Sequence, residues 1–233
     1  MDPGLDVLDL ASGTGEPALT IAAQVGPEGS VTATDLVAEM LAGAERRAAE
    51  KGLANMRFQV IDMETLPFDD AQFDRVTCRL GLMYVPRPAQ ALSEARRVLR
   101  PGGRATFLVW GAHEENYQFI VLDEVLWQEM RIDPHEGAFG PTRFGEAGAL
   151  VAVFQEAGFE QVEERVLEFA PRIDPATGFW RAQLALRLGE RLNEMSEADH
   201  DRLDAAMANG FERYRDGDRI QLKTTARIGL GIA

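Results

Sequence analysis

A short apolar run, Leu5-Asp-Val-Leu-Asp-Leu10, stops at Ala11-Ser-Gly-Thr-Gly15 and gives way to Ala18, Leu19, Ile21, Ala22 and Val25 at helical spacing. Strand, glycine turn and helix in that order constrain this chain more than any other feature. A strand that feeds a crossover helix next pairs in parallel with a neighbour, and the helix must pack back onto the sheet. Pro17 stands where the first helical residue belongs, a position whose N–H has no partner inside the helix. The alternation then repeats. Ser30 to Thr34 is β-rich and closes on Asp35, and a helix through Met40, Leu41, Ala44 and Ala48 stops at Gly52. Met56 to Ile61 and Phe73 to Cys78 read as the third and fourth strands. A helix over Pro88 to Leu99 precedes the Pro101-Gly-Gly103 turn and an apolar strand from Arg104 to Trp110. Residues 1–111 are therefore a doubly wound α/β core with helices on both faces of a parallel sheet.

The pattern changes after Trp110. Residues 112–150 form an insertion with a helix over Tyr117 to Met130, then a loop marked by Gly137, Gly140 and Pro141 and a helix from Glu146 to Ala157 ending at Gly158. Gln161 to Phe169 reads as a strand. A second, helical insertion spans 172–217. Trp180, Leu184, Leu188, Leu192 and Met195 share one helical face within 177–195, and Ser196 caps a further helix with Asp199 as its acidic partner. Ile220, Leu222, Thr224, Ala226, Ile228 and Leu230 alternate, predicting one last strand over 219–230. No boundary separates a second domain, so the expectation is one domain over 1–233.

Charge narrows the function. The chain has 24 Lys and Arg against 38 Asp and Glu, a net charge of −14. Such a surface repels phosphodiester backbones and anionic membranes, which argues against both as partners. Cys78 is the sole cysteine, so neither an internal disulfide nor a multi-thiolate metal site can form. With no signal-peptide pattern and no apolar run of about 18 residues, a soluble cytoplasmic protein without a metal is expected.

Gly13-x-Gly15-x-x-Ala18 between strand and helix matches a dinucleotide fingerprint, and Asp35 lies 20 residues past Gly15, where a ribose-binding acid belongs. Alone, this pattern suits an NAD-dependent oxidoreductase. The surrounding charge argues otherwise. Asp9, Glu16, Asp35 and Asp62 all follow or end strands at the carboxyl edge of the sheet, where a pyrophosphate meets like charge and a cationic ligand is favoured. A Tyr-x-x-x-Lys pair is also missing.

With these residues the chain resembles the class I S-adenosylmethionine-dependent methyltransferases, well over residues 4–112 and only in layout beyond. Val7-Leu-Asp-Leu-Ala-Ser-Gly-Thr-Gly15 resembles their first motif, with Asp9 as its acid and Ala11 where many relatives have glycine. Thr34-Asp35, Ile61-Asp-Met-Glu-Thr-Leu-Pro-Phe68, Phe73 to Val85 and Val98-Leu-Arg-Pro-Gly-Gly103 continue the series. The resemblance implies a Rossmann-like, seven-stranded, mostly parallel sheet with an antiparallel last strand. It implies S-adenosylmethionine as cofactor, bound by Asp9, Ala11, Ser12, Gly13, Gly15, Asp35, Leu36, Met40, Asp62, Met63, Arg79 and Leu80. Asp35 would take the ribose hydroxyls, Met40 the adenine face, Asp62 the adenine amino group, and Arg79 and Leu80 would border the methionine part. The motifs match best the small-molecule branch that includes ubiquinone and menaquinone biosynthesis enzymes, although Met83-Tyr84 stands where relatives often have a His pair. Relatives usually carry helix ahead of the first strand; here that strand begins near residue 5, which predicts an open cleft and weakened cofactor binding.

Methyl transfer needs a general base only if the acceptor must lose a proton. His113, three residues past the fifth strand, is the candidate; His135 and His200 rank below it, and Cys78 reads as a buried strand residue. Tyr84, Trp110 and Tyr117 are candidates for a small, partly apolar methyl acceptor's pocket. Phe139, Phe144, Phe179 and Trp180 are either pocket or core, with core favoured for Trp180. A non-catalytic cofactor-binding or scaffolding module remains the third reading, and the oligomeric state is open.

Overall fold

The computed structural model describes residues 1–133 and 140–233. His135, Gly137 and Phe139 lie outside the described residues. The order of the first half is β1 Asp6–Leu10, α1 Ala18–Val25, β2 Ser30–Asp35, α2 Ala38–Glu50, β3 Met56–Val60, β4 Phe73–Arg79, α3 Pro88–Val98 and β5 Leu99–Trp110. It continues with α4 Tyr117–Met130, α5 Ala149–Glu156, β6 Glu160–Phe169, β7 Arg172–Ile173, α6 Arg181–Leu188, α7 Glu190–Asn193, α8 Glu197–Phe211, β8 Arg215–Asp216, β9 Arg219–Gln221 and β10 Thr224–Ile232. Seven strands form one sheet in the order β3-β2-β1-β4-β5-β10-β6, parallel except for β10, as expected for a doubly wound α/β fold.

The chain packs as two compact units: Met1–Trp110 with Pro141–Val166 and Arg227–Ala233, and Gly111–Gly140 with Leu167–Ala226. The expected insertion 112–150 thus divides, its residues from Pro141 onward belonging to the first unit. In that unit alternate residues of β1 feed opposite faces. Val7 joins Val31, Ala33 and the α1 residues Ala18, Ile21 and Val25 in one cluster. Leu8 and Leu10 join Val76, Cys78, Phe107, the α3 residues Leu92 and Ala95, and Phe154 of α5 in the other. The core of the second unit is drawn from α4, α6, α8 and β9: Leu122, Leu126, Trp180, Leu184, Leu203, Met207, Phe211 and Ile220 are all buried.

Three local expectations need correction. The alternating run 219–230 is two strands, not one: β9 pairs with β7 and β8 in a small antiparallel sheet, and only β10 enters the large sheet. Exposed Lys223 lies between them, and period-two alternation looks the same whichever sheet receives it. The helix expected over 177–195 is interrupted at Gly189, whose φ of 52° and ψ of −128° end α6 before α7 begins. At Pro101-Gly-Gly103 the chain does not leave the sheet; β5 runs through it, with a register irregularity opposite Phe73 and Arg75. The Ser196 cap stands as expected, its Oγ accepting from the Asp199 N–H at 3.2 Å.

Candidate cofactor site

β1, β2 and β3 end at one edge of the sheet, and the loops that follow carry most of the expected cofactor residues. Asp9 is fully buried on β1. One carboxylate oxygen accepts from the Thr77 hydroxyl at 2.5 Å, while its Oδ2 is buried with no partner. Burial pushes Asp9 up to about 6, against the opposing pull of Thr77, Ser12 and the Arg79 charge. Its backbone carbonyl accepts from the hydroxyls of Ser12 at 2.9 Å and Thr34 at 3.2 Å, which ties the β1 and β2 exits together.

The glycine turn is held by Asp35. Its Oδ2 accepts from the Gly13 N–H at 2.9 Å and its Oδ1 from the Val37 N–H at 2.9 Å. Each oxygen keeps an acceptor site for a ligand hydroxyl. Gly13 has φ +54, and its open face looks toward Met40, whose Cε lies 3.8 Å from where a Cβ would stand. At Gly15, with φ +109, a Cβ would come within 2.7 Å of Leu19 and 3.2 Å of Ala44, so glycine lets α1 and α2 close on the loop. Ala11 takes φ 52 where relatives often have glycine.

Asp62 is exposed and accepts from the Glu64 N–H at 2.9 Å; Met63 behind it is buried. Met63 and Ala11 meet at Gly81, where a Cβ would approach the Ala11 Cβ to 2.4 Å, Cys78 Sγ to 2.9 Å and Met63 Cε to 3.3 Å. Leu80, at φ 61, donates its N–H to the Leu108 carbonyl at 2.8 Å. Arg79 is exposed and its Nε donates to the Glu16 carbonyl at 3.3 Å. Leu36 is 63% exposed and Met40 42%, leaving apolar surface beside the glycine turn.

The remaining candidates divide: Cys78 and Trp180 are buried as expected, while others stand elsewhere. Glu16 does not stand with the free acids: it accepts from Thr20 at 2.7 Å and faces Arg47 at 3.5 Å. Cys78 is buried and its thiol pushed up to about 12, chiefly by burial, which leaves it inert as a nucleophile. Phe144 is core of the first unit, and Trp180 with Phe179 and Phe211 is core of the second, so these rings are structural. Tyr84 is exposed, Trp110 half-buried at the end of β5, and Tyr117 stacks on Tyr214 at 4.5 Å inside the second unit. His113 places Nε2 2.8 Å from Asp123, and His200 is half-buried on α8. Thr77, Gly81 and Asp123 were not foreseen: Thr77 meets Asp9 across 68 residues and Asp123 meets His113 across a helix turn and loop that no local pattern announces, whereas Gly81, after an apolar strand in Arg79-Leu-Gly81, was a visible sign of close approach.

A buried, uncompensated carboxylate, a glycine turn with an open face and two strand-end acids with acceptor capacity fit a ligand with a ribose and a cationic end. The class this defines is a Rossmann-like fold that binds a cationic nucleoside cofactor rather than a dinucleotide. A methyltransferase-domain family model matches residues 7–103. The ubiquinone/menaquinone biosynthesis C-methyltransferase UbiE of Cupriavidus metallidurans is 34% identical over 170 residues, covering 69% of this chain and 70% of that protein. The UbiE enzyme of Brucella anthropi is 36% identical over 178 residues, covering 70% and 66%. Among solved structures, a Bacillus halodurans C-125 protein aligns at TM-score 0.65 and 23% identity over 100% of this chain and 94% of its own. Phosphoethanolamine N-methyltransferase 2 of Haemonchus contortus, solved with S-adenosyl-L-methionine, aligns at TM-score 0.60 and 19% identity over 100% of this chain and 49% of its own. The chain belongs to the class I S-adenosylmethionine-dependent methyltransferases, and its cofactor is S-adenosylmethionine. The oxidoreductase and scaffold readings fall with that assignment. Among the described residues no helix is long and apolar enough to cross a membrane.

Proposed function

We propose that this enzyme methylates a ring carbon of a small, partly apolar acceptor of the quinone type. The observation that carries the reading is the identity shared with the Cupriavidus metallidurans enzyme, whose name specifies C-methylation in ubiquinone and menaquinone biosynthesis. In this reading Asp35 takes the ribose hydroxyls with its spare lone pairs, Met40 lies on the adenine, and Asp62 and Met63 receive the adenine edge. Asp9 opposes the cationic end from beneath the loop. S-adenosylmethionine, when bound, supplies a methyl on positively charged sulfur, so positioning the acceptor in line accounts for most of the rate.

A hydroquinone ring carbon becomes nucleophilic as its hydroxyl loses a proton, which calls for a base. Met83 is a thioether with no basic site and cannot serve. His113, whose ring Asp123 orients through Nε2, is the candidate base. The test is transfer of labelled methyl from S-adenosylmethionine to a panel holding short-chain hydroquinones, phenols, small amines and phosphoethanolamine. Label in the hydroquinone fraction, bonded to carbon, is the expected result. Transfer confined to the amines would contradict the reading.

A further inference from the structure

We propose that a second copy of this chain pairs antiparallel along β6, joining two seven-stranded sheets edge to edge. β6 ends the strand order of the large sheet, so its outer side has no neighbour among the described residues. The other edge strand, β3, has five residues against ten. A long free edge offers a row of unpaired N–H and C=O groups to another strand, and monomeric proteins blunt such edges with Lys or Pro. β6 reads Glu160-Gln-Val-Glu-Glu-Arg-Val-Leu-Glu-Phe169 and has neither. Val166 is 52% exposed on it and Leu167 44%.

This edge is self-complementary about Glu164. When Glu164 stands opposite its counterpart, Glu163 faces the second copy's Arg165 and Val162 faces its Val166, and the two-fold symmetry makes each contact twice. Pairs of opposite charge and of β-branched side chains stabilise an antiparallel ladder, whereas like charges directly opposite destabilise it. Arg165 already forks onto Glu163 of its own strand, Nε to Oε1 at 2.8 Å and Nη2 to Oε2 at 3.1 Å, so both groups lie exposed on one face and can exchange partners. On the other face Val162 packs against the core of the first unit while Val166 is left uncovered, and the second copy's Val162 covers it. Glu164 accepts from Arg227 Nη1 at 3.0 Å, so its charge is compensated where the two copies of it meet. Gln161, at φ 45, leaves the extended conformation, which limits the ladder to Val162–Val166 and ends it before Glu160 opposes Glu168. The net charge of −14 works against indiscriminate contact, so association depends on this local match.

Sedimentation velocity over a concentration series tests the pairing, with circular dichroism as the check on folding. The wild-type protein is expected to pass from monomer to dimer as concentration rises and to stop there, since each copy uses its free β6 edge once. Glu163→Arg and Arg165→Glu each set two pairs of like charge opposite one another and should weaken dimerisation about tenfold or more. An equimolar mixture of the two variants sets two arginines on one strand against two glutamates on the other, and should associate as tightly as the wild type. A monomer at every concentration would overturn the proposal. A dimer that the charge reversals leave unweakened, or weakened variants that their mixture does not rescue, would overturn it too, because contact through any other face gives those results.

Discussion

Asp6 and Asp9 stand three residues apart on β1, at opposite ends of the strand, and are treated in opposite ways. At the amino edge Asp6 accepts from the Ser30 hydroxyl at 2.7 Å and faces Arg100 at 3.1 Å. Asp74 of β4 lies 2.7 Å from the same arginine and also takes the Asp6 N–H at 2.9 Å. Burial is the largest single influence on Asp74 and pushes it up, but the Arg100 hydrogen bond and charge, with the Asp6 N–H, together outweigh it and hold Asp74 below the usual carboxylate range. At the carboxyl edge no arginine among the described residues pairs with Asp9, Asp35 or Asp62. Asp9, Asp35 and Asp62 receive only hydroxyl or backbone N–H donors, and Asp9 lies above the usual range because it is buried. A finished network at one end holds strands together, and an unfinished one at the other leaves charge for a ligand to complete.

The largest effect should come from cutting the unfinished edge. Asp35→Ala removes the anchor of the Gly13 N–H and the proposed ribose acceptor, and S-adenosylhomocysteine affinity should fall at least about tenfold, and up to ~100-fold, by calorimetry. An unchanged dissociation constant would break the comparison at its functional end.

Asp9→Asn should separate binding from stability. The folded pKa of Asp9, about 6, lies above its ordinary value of 3.8, so ionisation costs the free protein stability at neutral pH and that cost fades as pH falls through 6 toward 4. The neutral variant should therefore unfold at higher urea at pH 7.5, by about 1–2 kcal/mol, while binding S-adenosylhomocysteine less tightly. Lower stability together with intact binding would show Asp9 to be a structural acid.

Arg100→Met tests the finished edge. These groups are part-exposed, so the screened loss should be only about 1 kcal/mol in urea unfolding, with cofactor affinity unchanged. Asp74 is depressed in the folded state, so its contribution is present above the ordinary carboxylate pKa and disappears as pH falls through the folded value. The variant and the wild type should accordingly converge in stability on acidification; a gap that widens would count against the pairing.

Much of this edge was legible in the sequence, for a physical reason. Strand periodicity, the Ala11 to Gly15 turn and the acids that follow β1, β2 and β3 are local signals, and parallel topology brings the strand ends together without further information. What the acids bond to was hidden. Thr77 meets Asp9 across 68 residues and Arg100 meets Asp6 across 94, partners that only register decides. Glu16 looked like a member of the acidic ring, but Arg47 of α2 reaches it from 31 residues away. The second unit was less readable still: most of its aromatic residues satisfy a helical stripe and a pocket alike, and packing decided Phe179, while Trp180 is core as the sequence favoured, its Nε1 donating to Asp204 at 2.6 Å.

The claim that the carboxyl edge is left unfinished for a cation is tested most directly by following the Asp9 carboxyl carbon by NMR through a pH titration, free and with S-adenosylhomocysteine. The account predicts a midpoint near 6 in the free protein and a clear fall on binding, as the ligand ammonium favours the ionised form. A midpoint that stays in place or rises on binding would contradict it.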